Sequence, residues 1–247
     1  MSSEPKAFMG VGLPYVDVGD LKGKLIVIEG TDGVGRSTQI GELKKWLEVQ
    51  GFAVATPGWT RSPLMEKAIA EAKAGHRLNV NTFSLLYAAD FADRLEHEVI
   101  PAMKAGFIVL ADRYVYTAFA RGVVRGADRG WVRKVFGFAL EPDAVFYMKT
   151  DVENLIPRVI NNQLFQARYW EGKLENGMDY WESGMDLRLG DDFYDSFVEY
   201  QRRILAEFDT MSKEYSFQVV NAMRSFEDTN RRLKEGIAAV LEHDTTA

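Results

Sequence analysis

The sequence has 247 residues, of which 47% are hydrophobic, enough for one large α/β domain or two small ones. It contains no cysteine, which excludes disulfides and thiolate chemistry, and its three histidines are scattered, which argues against a His/Cys metal site. The formal net charge of -6 argues against a general nucleic-acid binder. No apolar stretch approaches the roughly 20 residues of a membrane span, and no signal peptide is recognisable. We therefore expect a soluble cytoplasmic protein that binds neither nucleic acid nor membrane.

The first part of the chain divides into a leader and a strand–helix series. Residues 1–20 are rich in Gly and Pro and lack helical periodicity, so we expect a loose leader. No Pro- or Ser-rich linker divides the remainder, which predicts a single domain over 21–247. Elements then follow in this order: a buried strand at 25–29, a helix at 37–51, a strand at 52–56, and a helix at 62–75 with Ser62 as N-cap.

The second part continues the alternation. Helical periodicity covers about 80–105, 115–123, 129–140, 151–163, 191–208 and 225–243, with a break or kink expected near Pro157. Further strands are predicted at 107–112, 143–148 and 216–221, whereas 166–190 shows no clear period and is predicted to be a mobile loop. Strands that alternate with helices predict an α/β fold: a parallel sheet with helices on both faces.

The segment GTDGVGRST, at 30–38, nearly matches the phosphate-binding pattern G-x-x-x-x-G-K-[ST]. Its glycines permit a sharp turn, and the helix that follows directs free N–H groups at an anion. The hydroxyl of Ser37 or Thr38 could ligate Mg²⁺. A glycine-rich turn without a ligand is the alternative, but the position between an apolar strand and a helix favours the phosphate site.

Arg36 stands where this pattern has Lys. Arg keeps the positive charge and binds phosphate well, but it is longer and planar and cannot copy a compact ammonium. Phosphoryl transfer depends on positioning and on stabilisation of charge. We therefore expect nucleotide binding to survive the replacement more readily than full turnover.

A second motif, VLADRYVYTAFARG at 109–122, places Asp112 and Arg113 just after an apolar strand. Ligands of open parallel sheets gather beyond the carboxyl ends of the strands. A carboxylate there can hold Mg²⁺ or its waters, and an adjacent Arg can bind a second phosphate. A surface Asp–Arg pair is the alternative reading, and the glycine loop makes the functional one more attractive.

Five segments resemble the thymidylate kinases, a family of P-loop nucleoside monophosphate kinases, in the order of that family. They are IEGTDGVGRSTQ, FSLLYAADFADRLEHEVIPAM, VLADRYVYTAFARG, EPDAVFYM and DDFYDSFVEYQRRI, within 24–242. The resemblance implies a three-layer P-loop NTPase fold, with a five-stranded parallel sheet and a lid at about 158–190. It also implies Mg²⁺-dependent transfer of the γ-phosphoryl group of ATP to dTMP, giving dTDP, and a homodimer formed through helices beside the sheet.

Carried over by position, the resemblance also assigns roles to individual residues. The ATP-binding set is Gly30, Gly33, Val34, Gly35, Arg36, Ser37 and Thr38, with Ser37 and Asp112 at the metal. The acceptor set is Asp32, Arg61, Tyr87, Phe91, Arg113 and Thr117. In this set Asp32 would meet the sugar hydroxyl, and Tyr87 stands where the family stacks an aromatic ring on thymine. The catalytic set is Arg36, Asp112, Arg113 and Arg188, the last as the lid arginine, with Arg168 as its alternate.

The chain departs from the family at the acceptor side. Phe91 stands where the family has an Arg that reads thymine, and Arg94 follows about one turn later. Arg121 and Gly122 stand where the family has an aromatic residue and then Gln or Thr. These departures, with Arg36, leave two alternatives open: a kinase for a different small acceptor, and a nucleotide-binding regulator that has lost efficient transfer.

Overall fold

The computed structural model describes residues 6–58, 62–75, 79–166 and 184–242. Within these ranges the strands form one five-stranded parallel sheet, in the order β2-β3-β1-β4-β5. The strands are β1 (Lys24–Glu29), β2 (Val54–Ala55), β3 (Ile108–Asp112), β4 (Ala144–Lys149) and β5 (Gln218–Asn221). The predicted five-stranded parallel sheet is therefore confirmed, although β2 is shorter than its apolar run suggested.

Helices cover both faces of this sheet. They are α1 (Arg36–Val49), α2 (Glu66–Gly75), α3 (Val80–Arg94), α4 (Ile100–Lys104), α5 (Val115–Val124), α6 (Arg129–Val135), α7 (Val152–Gln166), α8 (Phe193–Glu214) and α9 (Phe226–Glu242). A π-helical turn, Leu95–Val99, joins α3 to α4, and a 3₁₀ turn, Met185–Leu187, precedes α8. The predicted helices at both faces are confirmed.

Two apolar clusters fill the space between the sheet and its helices. One contains the buried face of α1 and α9 and packs on one side of the sheet. The larger one contains side chains of α3, α5, α6 and α8 on the other side. Every residue of β1 after Lys24 is buried, because β1 has a strand on each side and a helical layer on each face.

The pairing of β1 with β3 positions the site. Ile28 of β1 is in register with Asp112 of β3, so the chain leaves both strands at the same edge of the sheet. The glycine-rich loop that follows β1 and the Asp–Arg motif that ends β3 are consequently neighbours, as expected at the carboxyl edge of a parallel sheet.

Four local predictions differ from the structure. The helix α2 begins at Glu66, so Ser62 lies before the helix and is not its N-cap residue. The helix α6 ends at Val135, not near residue 140 as predicted, and Phe136 is its C-cap residue. A turn then leads to β4. The long helix predicted over 80–105 contains the π-helical turn. The helix α7 continues through Pro157, so of the predicted break or kink the break is wrong.

The segment predicted to be a loose leader packs on the rest of the chain over its described part. The amide of Met9 donates to the carbonyl of Ala139 at 2.8 Å, and the amide of Glu141 donates to the carbonyl of Ala7 at 2.8 Å. Phe8, Leu13 and other apolar side chains of this segment contact the larger cluster. Among the helices of the described ranges, none is both long enough and apolar enough to cross a membrane.

Candidate active site

The loop between β1 and α1 has a backbone that glycine makes accessible. Gly33 and Gly35 have φ of 79° and 95°, in the left-handed region. A Cβ on Gly33 would lie 2.6 Å from Cγ2 of Val159, so α7 also requires glycine there. Gly35 caps α1 without a side-chain hydrogen bond, which leaves the first N–H groups of that helix available to an anion.

Side chains of the loop face two ways. Val34 is buried against β1 and β4, whereas Ser37 and Thr38 are exposed at the first turn of α1. The hydroxyls that the sequence assigned to phosphate and metal are therefore accessible from solvent.

Arg36 lies within the loop rather than outside it, and its side chain is only 8% exposed. Its Nε donates to Oδ1 of Asp112 at 2.8 Å, and its Nη1 donates to the carbonyl oxygens of Gly30 and Thr31. The guanidinium group thus connects the start of the glycine turn to the end of β3.

The residues predicted to hold the metal are also brought together. The hydroxyl of Ser37 donates to Oδ2 of Asp112 at 2.8 Å. A hydroxyl and a carboxylate are hard oxygen ligands, and Mg²⁺ typically takes one or two such protein ligands and completes its shell with phosphate oxygens and water. The two side chains therefore fit the ion that the family implies.

Asp32 is surrounded by arginines. Nη2 of Arg113 contacts its Oδ1, Nη2 of Arg121 lies 3.2 Å from its Oδ2, and Nη2 of Arg36 lies 3.8 Å from Oδ1. Asp32 remains 40% exposed, so its carboxylate stays open to solvent. Arg113 has φ of 71°, an uncommon conformation for a non-glycine residue and one that clusters at functional sites.

Glu29, which the sequence analysis missed, is fully buried beneath this loop. It accepts hydrogen bonds from the amide of Tyr114 at 2.8 Å and from the hydroxyl of Thr117 at 2.9 Å. Burial raises its pKa, and Arg36 and these hydrogen bonds partly oppose the rise. The sequence did contain a clue to Glu29, because a single acidic residue ends a strand that was predicted to be buried on both faces.

The described residues form two cavities on the loop and a third beside them. We call the first the outer cleft; it is lined by Gly33, Val34, Gly35, Thr38, Gln39, Met148, Arg158, Ala222, Arg224, Phe226 and Thr229. The second, the inner cavity, includes Gly30, Thr31, Asp32, Arg113, Thr117 and Arg121 in its lining. The third, the aromatic cavity, shares Arg121 with the inner cavity and is lined by Val80, Phe83, Ser84, Tyr87, Ala118, Arg121, Gly122 and Arg125.

The predicted acceptor residues are divided between cavity walls and core. Tyr87 lines the aromatic cavity, with its ring 4.6 Å from that of Phe83. Thr117 lines the inner cavity while its hydroxyl bonds to Glu29. Phe91 is 3% exposed and packs edge-on to Tyr114 at 5.0 Å between ring centroids, which places it in the core.

The predicted roles of the remaining arginines are not tested by the structure. Arg188 lies in the turn after the 3₁₀ segment, exposed and with φ of 50°, so its lid role stays a prediction. Arg61 and its predicted acceptor role lie outside the described residues, as do Arg168 and most of the lid predicted at 158–190. Ser62, next to Arg61, is anchored to α3 because its amide donates to Oδ1 of Asp90 at 3.0 Å.

Arg125 is a further residue that sequence reasoning missed. Its side chain is 2% exposed, its Nε donates to Oδ2 of Asp186 at 2.9 Å, and its Nη1 donates to the hydroxyl of Tyr200 at 2.7 Å. It joins α5, α8 and the 3₁₀ turn beside the aromatic cavity. Its spacing of four residues from Arg121 on one helix face was the available signal.

The fold and the site together define a P-loop nucleotide-binding protein: a glycine turn between a central parallel strand and a helix, with a cation in the turn and a carboxylate at its mouth. Comparison with known proteins agrees. The sequence profile of the family described as thymidylate kinase matches residues 28–176.

Named relatives extend this match along the chain. It is 34% identical to the "Probable thymidylate kinase 2" of Saccharolobus solfataricus over 224 residues, which is 90% of this chain and 99% of the relative. It is 27% identical to the "Probable thymidylate kinase" of Pyrococcus horikoshii over 234 residues, covering 91% and 98% of the two chains. The chain belongs to the thymidylate kinase family. This membership favours a nucleoside monophosphate kinase over the regulatory alternative.

Proposed function

We propose that this protein transfers the γ-phosphoryl group of ATP to dTMP and that the residues assigned above perform the transfer. The observation that carries the proposal is the placement of two cavities on the same loop. Residues 33–35 and Thr38 line the outer cleft, and residues 30–32 line the inner cavity. A donor and an acceptor bound on these two sides would meet at the loop.

The outer cleft suits the donor. Its lining includes Gly35 and Thr38 at the start of α1, and also Arg158 and Arg224, whose positive charges suit a polyphosphate. The Nη1 of Arg158 donates to the carbonyl of Ala222 at 3.0 Å, which holds this side chain beside the cleft. Phe226, exposed at the cleft, offers an aromatic face to a base.

The inner and aromatic cavities suit the acceptor. In the inner cavity Arg113 faces the position that we assign to the acceptor phosphate, and Asp32 faces the sugar hydroxyl. Tyr87 and Phe83 offer an apolar surface for a pyrimidine in the aromatic cavity. dTMP is preferred because the relatives are named for thymidylate.

The chemistry follows from this placement. An oxygen of the acceptor phosphate, already an anion, attacks the γ-phosphorus; the new P–O bond forms while the bond to the β–γ bridging oxygen breaks, and ADP leaves with that electron pair. No strong general base is needed. Ser37 and Asp112 would hold Mg²⁺, which when bound neutralises charge on the outer phosphates.

The chain's own residues contribute position and charge. The loop amides hold the donor phosphates, Arg36 stabilises charge on the transferring group, and Arg113 aligns the attacking oxygen. We retain Arg188 as the predicted arginine that completes this charge stabilisation. We also propose cytoplasmic location and a homodimer; light scattering of the purified protein tests the dimer, and a monomeric mass contradicts it.

The test is an ADP-release assay with ATP, Mg²⁺ and each natural nucleoside monophosphate, with an acceptor-free reaction as the control. We expect ADP release that requires an acceptor and is fastest with dTMP. If ADP release is fastest with a different monophosphate, that monophosphate and not dTMP is the acceptor. If ADP is released without any acceptor, the protein is an ATPase and the kinase proposal is wrong. Arg36→Lys in the same assay tests the expectation that Arg36 limits turnover. A higher kcat in this variant supports the expectation, and an unchanged kcat together with an unchanged nucleotide affinity contradicts it.

A further inference from the structure

Arg121 occupies the boundary between the inner cavity and the aromatic cavity and lines both. It lies on α5, which begins two residues after Arg113, and its guanidinium group lies 3.2 Å from Oδ2 of Asp32. Any ligand that fills both cavities must therefore pass this side chain.

The charges around Asp32 explain what Arg121 can bind. Arg113 and Arg121 contact different oxygens of this carboxylate, and Arg36 approaches it at 3.8 Å. These three guanidinium groups lie around the carboxylates of Asp32 and Asp112. A carboxylate held between two arginines presents the geometry that a phosphate monoester dianion also satisfies.

The backbone of Arg121 is held by the nearby side chain of Arg125. Its carbonyl accepts a hydrogen bond from Nη1 of Arg125 at 3.3 Å. Arg125 is in turn fixed by Asp186 and Tyr200. The backbone that carries the Arg121 side chain is therefore tied to α8 and the 3₁₀ turn through Arg125.

We propose that Arg121 is a second acceptor-phosphate ligand, which together with Arg113 makes the inner cavity selective for a dianionic acceptor over the corresponding uncharged nucleoside. The inference rests on the proposed function, because it takes dTMP as the acceptor. On binding, the phosphate shares the two guanidinium groups with Asp32 and draws Arg121 towards itself, while the base enters the aromatic cavity.

The test compares two ligands that differ only in the phosphate. Calorimetry measures the Kd of dTMP and of thymidine for the full chain, for Arg121→Gln, for Arg121→Lys and for Arg129→Gln. Arg129→Gln is the matched control, because this substitution removes the same charge at a distant position. Arg129 lies on α6 and pairs with Glu207. Circular dichroism confirms that each variant is folded.

We expect the ratio of the thymidine Kd to the dTMP Kd to fall by about tenfold in Arg121→Gln, because a charge-assisted hydrogen bond to phosphate is lost. Arg121→Lys should lower the ratio by about threefold, since a compact ammonium cannot form the two-pronged contact. Arg129→Gln should leave it unchanged.

A wild-type ratio in folded Arg121→Gln overturns the inference. If that variant does not fold, a wild-type ratio in Arg121→Lys overturns it. An equal loss of thymidine and dTMP binding also overturns it, because Arg121 would then act on the sugar or base. If the wild-type protein turns over dTMP, these outcomes contradict only the role of Arg121 and not the proposed kinase activity. If the wild-type protein neither binds nor turns over dTMP, the kinase proposal and the role of Arg121 are both wrong.

Discussion

The side chains of Arg36 and Asp112 meet across the loop and the sheet edge, with Nε of the arginine 2.8 Å from Oδ1 of the aspartate. Asp112 uses its other oxygen to accept from Ser37, at 2.8 Å. The arginine of the glycine loop and the residues assigned to the metal therefore form one hydrogen-bonded unit. Within this unit we propose that Arg36 acts on the nucleotide phosphates and Asp112 on the metal, and the next two predictions test the two roles separately.

Arg36→Met should weaken MgATP binding by tenfold or more, because each charge-assisted hydrogen bond to phosphate contributes about 1.5–3 kcal/mol. Arg36→Lys should weaken binding by less than about threefold, because the positive charge remains. Equilibrium titration with a fluorescent ATP analogue measures both. Equal affinities for the Met variant and the wild-type protein would remove Arg36 from the nucleotide site.

Asp112→Asn should raise the Mg²⁺ concentration for half-maximal ADP release by about tenfold or more, because a neutral amide is a weaker ligand than a carboxylate. The measurement is a Mg²⁺ titration at saturating ATP and dTMP. Asp209→Asn is the control, because this aspartate pairs with Lys149 at 2.7 Å on the surface. A similar Mg²⁺ shift in the two variants would contradict the assignment of Asp112.

Glu29 should make stability depend on pH in a defined direction. Its pKa is raised in the folded state by burial, so the folded protein holds this proton more tightly than the unfolded chain does. Stability from this residue is therefore present below its ordinary pKa and is lost as pH rises towards the raised value, at up to about 1.4 kcal/mol per pH unit.

Urea unfolding of the wild-type protein and of Glu29→Gln, from about pH 4 to 7, tests this dependence. The stability of the wild-type protein should fall relative to the variant as pH rises. Subtracting the two curves removes contributions common to both, including the buried Asp90, whose pKa burial also raises. Parallel curves would show that Glu29 titrates alike in the folded and unfolded states.

Phe91→Ala should destabilise the protein by about 3–5 kcal/mol, because it leaves a cavity among the rings of Tyr114, Phe136 and Phe138. Phe91→Leu should cost much less and leave the KM for dTMP within about twofold, since the side chain packs in the core. Thermal unfolding and steady-state kinetics provide the two measurements. A large rise in KM with little loss of stability in Phe91→Leu would instead support the acceptor role that the resemblance assigned to Phe91.

Local sequence patterns were sufficient for the order of strands and helices and for the glycine loop. β1 is a continuous apolar run, and α1 begins directly after the glycines of the loop, so both can be recognised from neighbouring residues alone. Asp112 could be predicted to lie near Ser37 because parallel strands end at a common edge. The resemblance to a kinase family added the acceptor, which no periodicity contains.

Tertiary structure decided which side chains at the proposed acceptor side line a cavity. On α3, Tyr87 lines a cavity whereas Phe91, one turn later, packs in the core, although both are aromatic residues at helical spacing. Arg121 and Glu29 acquired their roles only when the strand order β2-β3-β1-β4-β5 brought α5 against the end of β1. Such placements depend on contacts between residues nearly ninety positions apart, which the local preferences of a chain do not encode.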